Sequence, residues 1–236
     1  MVKGKRKQAR VDAVVVDDDD DWGPTSVLEH PSTGSYRITP VIVLIVLIQL
    51  VLPDSVTIGP LWLIPAIEVL GAPAGWLLKR QGAVTPRTFV IAATAYLTFL
   101  VLASVTNAVL LLMTLLNDRT NNDSGQILLF AGFGVLAINT LSFALIYWWV
   151  DGGGPKARRT GQVTFWDFQY PQQAAGMDWT PKLGDYIFTA YTNIIAFSPT
   201  DTMPLSHRVK LLFGIQSAVS LVTVLVTVSR AINMLT

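Results

Sequence analysis

No cysteine occurs in the 236 residues, which removes disulfides and thiolate metal sites from consideration. Charge is scarce as well. Only 14% of the residues are Asp, Glu, Lys or Arg, against about 25% in an ordinary soluble domain. Histidine occurs twice, at His30 and His207. The chain has no Walker loop, dinucleotide fingerprint, nucleophile elbow or metal-ligand spacing. An enzyme is therefore not expected, nor a cofactor, a bound metal or a nucleic-acid partner. The first thirty-six residues lack the apolar core of a secretory signal, so no cleavable signal peptide is expected.

What the chain has in quantity is apolar side chain, 51% of the total, gathered into blocks. The runs 38–52, 57–78, 89–116, 127–150 and 209–235 approach or exceed the ~20 residues that cross a ~30 Å hydrocarbon core. The first is the shortest. The fold class expected is all-α, a polytopic integral membrane protein of about five transmembrane helices plus one re-entrant half-helix, its solvent the lipid bilayer.

Of the seventeen Lys and Arg residues, fifteen precede the first run or lie in the second-to-third and fourth-to-fifth connections; only Arg119 and Arg230 do not. Such a bias predicts a multi-pass cell-membrane protein with a cytoplasmic N-terminus. Arg230 would snorkel to the opposite interface. Residues 1–36, with the aspartate run 17–21, read as a disordered, solvated cytoplasmic tail. Residues 37–124 read as three N-terminal transmembrane helices, and 125–236 as an outer helix, an interfacial loop, a re-entrant helix and an inner helix.

The second run, "TIGPLWLIPAIEVLGAPAGWLL", holds three prolines and three glycines and predicts a kinked helix. Glu68 lies near its middle. A carboxylate at that depth costs a few kcal/mol unless neutralised, paired or wetted. It reads either as a proton or cation site, or as a protonated group bonded to a carbonyl that proline has freed. Asn107 and Asn139 suit hydrogen bonds between helices. Trp62, Trp76, Tyr147, Trp148 and Trp149 fall near run ends and read as interfacial anchors. The aromatic cluster at Phe165, Trp166, Phe168 and Tyr170 suits a surface segment or short hairpin.

The stretch 185–214, "DYIFTAYTNIIAFSPTDTMPLSHRVKLLFG", breaks this pattern. Its first thirteen residues would rise ~20 Å as a helix, about two-thirds of the core. A polar knot follows, then a long apolar helix. Broken helices at membrane depth are tolerated where protein or a water-filled cavity satisfies the loose backbone. The segment resembles the pore-loop and inner-helix unit of potassium channels. Phe188 stands at the aromatic position, Ala190 at the small one, Asp201 at the aspartate after the filter and Pro204 at the proline. Ser206 and Lys210 hold the places of a Thr and an Arg, and residues 214–235 correspond to the inner helix. The filter itself departs: Ala196, Phe197, Ser198, Pro199 and Thr200 replace it, both glycines included. Residues 125–236 are also similar to bacterial multi-spanning membrane proteins of unknown function. The resemblance implies a homo-oligomer, a tetramer if channel-like, with a monovalent cation as the permeant species. It places the filter outside the cell, whereas the charge bias places residues 198–206 on the cytoplasmic side, so either the hairpin is inverted, the preferred reading, or one run, 38–52, does not cross.

Pro199 fixes its own φ near −65° and biases Ser198 towards extended geometry. Any lining would come from the Ser198 and Thr200 hydroxyls, with Asp201 either as a ring of carboxylates or as a turn cap. Gly214 and Ala218, four apart, would let inner helices approach closely. The readings left open are a weakly selective cation pore, a non-conducting scaffold or accessory subunit, and a proton-coupled transporter built on Glu68.

Overall fold

The computed structural model describes residues 38–60, 62–80, 85–116, 125–196 and 201–233. The expected 1–36 tail lies outside them. The fold is helical: α1 (Thr39–Val51), α2 (Leu63–Arg80), α3 (Pro86–Leu116), α4 (Gly125–Val150), α5 (Pro155–Arg159), α6 (Pro171–Ala174), α7 (Leu183–Ala196) and α8 (His207–Asn233). Two residue pairs, β1 (Phe168–Gln169) and β2 (Met203–Pro204), form an antiparallel ribbon.

Three segments are long and apolar enough to cross a membrane: Pro86–Leu116, Gln126–Gly153 and His207–Ser229. They mark the chain as a membrane protein. The two other expected crossings fall short. The α1 helix has 13 residues and rises ~20 Å, less than a ~30 Å core. The α2 helix has 18 residues but carries Glu68, Lys79 and Arg80. It begins at Leu63 because residues 57–60 form bends, with Gly59 at φ 70°.

Side-chain contacts fix the helix directions. Trp149 near the end of α4 donates its indole N–H to Thr94 near the start of α3, at 2.8 Å, so these helices run antiparallel. The α8 helix is antiparallel to α4 as well: Tyr147 meets Gln216, Asn139 meets Ser220, and Gly132 lies against Thr227. A Cβ on Gly132 would come within 2.5 Å of the Thr227 hydroxyl oxygen, so the missing side chain sets how closely α4 and α8 approach. The ends of α2 and α4 and the starts of α3, α7 and α8 thus gather at one end of the bundle, with Arg87, Arg158, Arg208 and Lys210.

The α8 helix is polar inside and apolar outside. Gln216, Ser220, Thr223 and Thr227 are buried, while Leu211, Leu221, Leu225 and Val228 are exposed. A helix facing water would be built the other way round. In hydrocarbon, outward leucine costs nothing, and inward hydroxyls and amides join helices by hydrogen bonds. Asn107 acts as the sequence predicts, donating its amide N–H to Gln49 of α1 at 2.7 Å.

Candidate functional site

The end of α4 is a junction on which residues 151–208 are built. After the 3-10 turn Asp151–Gly153, Gly152, Gly153 and Gly154 take φ of 60°, 77° and 94°. Side chains rarely adopt this left-handed region, and three such residues in succession turn the chain off the α4 axis. The Asp151 side chain is fully buried. Its Oδ1 accepts the backbone N–H of Asp167 at 2.8 Å and of Phe168 at 3.1 Å. Its Oδ2 accepts the Tyr186 hydroxyl at 2.6 Å. One carboxylate therefore ties α4 to the strand before the ribbon and to α7.

Arg158 closes the same corner. Its guanidinium donates to the Asp151 carbonyl, which also accepts the Gly154 N–H at 2.9 Å, and at 2.8 Å to the Trp148 carbonyl near the end of α4. It lies 5.4 Å from the Tyr186 ring centroid and 5.9 Å from that of Trp148, at cation–π range. Asp167 and Arg208 form a two-pronged ion pair, with Nε to Oδ1 at 2.7 Å, and Arg208 also reaches the Val150 carbonyl at 3.0 Å. Burial alone would raise the Asp167 carboxyl, but hydrogen bonds from Arg208 and Ser206 outweigh it and hold the group below its ordinary value. A carboxyl lowered on folding contributes stability at neutral pH, and that contribution is lost as pH falls through the lowered value. Arg208→Gln should therefore cost about 1–2 kcal/mol near neutrality, below the ~3–5 of a wholly buried pair because the arginine is 58% exposed. The difference from the parent should vanish below the carboxylate range, as read from melting temperature against pH. An equal cost at pH 7 and at strongly acid pH would exclude the ion pair as its cause.

From this junction α7 runs beside α8 in the same direction. Tyr186 lies level with Asp151, and two turns on, Asn193 donates to Gln216 Oε1 at 2.8 Å and accepts the Ser217 hydroxyl at 2.9 Å. Gln216 also accepts the Tyr147 hydroxyl at 2.7 Å and donates to the Ala190 carbonyl at 3.1 Å. Beyond Ala196 the chain returns: the Thr202 and Thr189 hydroxyls are 3.3 Å apart, and Met203 and Pro204 pair with Gln169 and Phe168. Leu205 N–H then bonds the Asp167 carbonyl at 2.8 Å, and α8 begins. The unit is thus a half-helix with an extended return, both feet at the junction. Beneath it lie Tyr147, Phe168 and Phe213, with Phe168 5.3 Å from Tyr147 and 5.7 Å from Phe213 by ring centroid.

Of the residues singled out by sequence, Ser198, Pro199 and Thr200 lie outside the described residues. Asp201 is exposed, and its carboxylate accepts the Thr202 hydroxyl at 3.3 Å. Gly214 and Ala218 are exposed on α8, with open space where a Gly214 Cβ would stand. Glu68 is only 1% exposed, and its Oε2 has no partner among the described residues. Its backbone carbonyl accepts the Tyr96 hydroxyl at 2.6 Å. The helix that carries Glu68 packs mainly against α1 and α3, away from the α7 unit. Tyr147 is buried in the bundle and is no interfacial anchor; Phe168 and Tyr170 are likewise core. The junction residues Asp151, Arg158, Asp167 and Arg208 were missed by sequence reasoning. Their one signal is the presence of acids among the loop's basic residues, which the charge count alone does not use.

No protein-family model, curated protein or solved structure matches this chain.

Proposed function

We propose that this chain is a channel-like membrane protein in which residues 183–206 form a re-entrant hairpin. Copies arranged about an axis would pass monovalent cations with little discrimination. The observation that supports this reading is the half-helix with its extended return. The α7 helix has 14 residues, about 21 Å of rise, so on entering a bilayer it turns back before crossing. Backbone that turns at membrane depth is stable where it lines a water-filled path or meets protein. The sequence between α7 and β2 supplies Ser198, Thr200 and Asp201, whose oxygens can replace part of a cation's hydration shell.

A single hairpin cannot enclose a path, so the reading requires symmetry-related copies. The apolar outward face of α8, open at Gly214 and Ala218, suits contact between copies. Pro199 and the absent filter glycines argue against a ring of inward backbone carbonyls, the basis of strong potassium selectivity. Purified protein in planar bilayers should pass potassium and sodium at similar rates. Asp201→Asn should lower the cation current several-fold while leaving the oligomer intact by size exclusion. Strong potassium selectivity would rule out side-chain lining. Silence at every voltage and pH would leave a membrane scaffold as the function, a reading favoured by apolar Phe188, Tyr191 and Ile195 on the exposed side of α7. Current that disappears in Glu68→Gln but not in Asp201→Asn would favour the proton-coupled reading.

The charge bias orients the hairpin with its feet in the cytoplasm and the N-terminus on the same side. The native chain lacks cysteine, so a single Thr160→Cys is a clean probe. In intact cells an impermeant thiol reagent should leave it unlabelled until the membrane is opened. Labelling from outside would invert the assignment.

A further inference from the structure

We propose that each subunit holds a bound water cluster inside the bundle, between α3, α4 and α8 at the level of Asn139. This site is separate from the cation path proposed above. Three buried polar atoms there have no hydrogen-bond partner among the described residues: Ser104 Oγ on α3, and Asn139 Nδ2 and Ser142 Oγ on α4. Ser104 and Ser142 are wholly enclosed, and Asn139 is 1% exposed.

The helix registers bring these groups to within about one turn of the same depth. Thr94 and Trp149 are bonded across the antiparallel α3–α4 pair. Ten residues along each helix, in opposite directions, set Ser104 level with Asn139. Ser142 lies one turn from Asn139 on the same face of α4, since residues three apart are neighbours on a helix. From α8, Ser220 donates its hydroxyl to Asn139 Oδ1 at 3.4 Å. That occupies the amide oxygen and leaves the amide N–H groups without a partner among the described residues.

Energetics favour a ligand there. An unpaired amide or hydroxyl in an apolar interior costs roughly 1–3 kcal/mol by mutational data, and in hydrocarbon no lipid group can substitute. Water bound in a protein typically makes about three hydrogen bonds to such otherwise unsatisfied groups. The site's chemistry selects water over a metal cation. Asn139 offers N–H donors, which repel a cation, and no Asp or Glu occurs in α3, α4 or α8 to balance one. The serines, each donor and acceptor, match water's own pattern.

The test is a map of the full-length protein in lipid nanodiscs, at a resolution that shows ordered water, together with melting curves for Ser104→Ala, Ser142→Ala and the double variant. Density is expected within about 2.6–3.2 Å of Asn139 Nδ2 and one serine oxygen. The double variant should lose that density and melt lower by about 2–4 °C, the shift that ~1 kcal/mol gives in a chain of this size. Ser104→Ala alone, a milder change, keeps the comparison available if the double variant does not fold. Absent density with alanine variants that melt higher would overturn the proposal, because deleting a dry unpaired hydroxyl stabilises. Direct pairing of Asn139 Nδ2 with Ser104 or Ser142 would overturn it equally.

Discussion

Replacing Asp151 with leucine is expected to cost at least about 3 kcal/mol and to release the segment between α4 and α8. Leucine has nearly the same shape, so the loss is one of bonding. Two backbone N–H groups, of Asp167 and Phe168, and the Tyr186 hydroxyl would all lose their acceptor in a buried site. Each orphaned donor costs roughly 1–3 kcal/mol, and Arg158 would lose its nearest carboxylate. Asp151→Asn should be much milder, since the amide oxygen can still accept both backbone groups while its N–H₂ donates to the tyrosine oxygen. Melting temperature in detergent should therefore rank parent, Asn and Leu in descending order. Trypsin should cut the Leu variant at Lys182 and Arg208 faster than the parent. A leucine variant that melts with the parent would show that the junction is held elsewhere.

The second large effect is expected at Glu68. The side chain is 1% exposed on α2, where a charge has no water and the described residues supply Oε2 with no partner. Glutamine matches the neutral acid in size and hydrogen bonding, so Glu68→Gln should express and assemble as the parent does. Lysine introduces an ammonium into a buried site that offers it no carboxylate partner, and an unpaired buried charge is strongly destabilising. Glu68→Lys should accordingly yield little folded protein, read as the fraction eluting as a single species in detergent. Collapse of the glutamine variant instead would identify an ionised carboxylate held by a cation.

The long helices were legible because a bilayer demands a minimum length of apolar chain. The runs 89–116, 127–150 and 209–235 sit within or nearly within α3, α4 and α8, and α7 at Leu183–Ala196 lies close to the expected 185–197. Hydropathy reads composition well and turns poorly. It took 57–78 as one span, while Gly59 and Pro60 delay the helix to Leu63. The junction was illegible for a different reason. Asp151 finds Tyr186 across 35 residues, and Asp167 finds Arg208 across 41. No local pattern names such partners. Arg208 looked like one more basic residue of a cytoplasmic loop, and position in the chain could not show that it closes a buried acid. Phe168 misled similarly: an aromatic in a polar loop suits a membrane surface, yet the ribbon turns it into the core. The resemblance to a pore-loop unit drew attention to 185–214, but its central residues, 197–200, fall outside those described.

The hairpin's dependence on α8 also fixes an order of events during synthesis. A translating ribosome delivers α4 and α7 before α8 exists. At that stage the Asn193 amide has no Gln216 to meet, and burying that side chain without its partner is costly. Tyr186 can already dock on Asp151, so the nascent chain can hold α7 by its first turn. Only when α8 packs does Gln216 supply the partner that lets the Asn193 end of α7 join the core. The α7 helix therefore completes its packing only after the segment that follows it is made, and a chain stopped near residue 206 should leave the Asn193 end of α7, though not Tyr186, open to aqueous reagents.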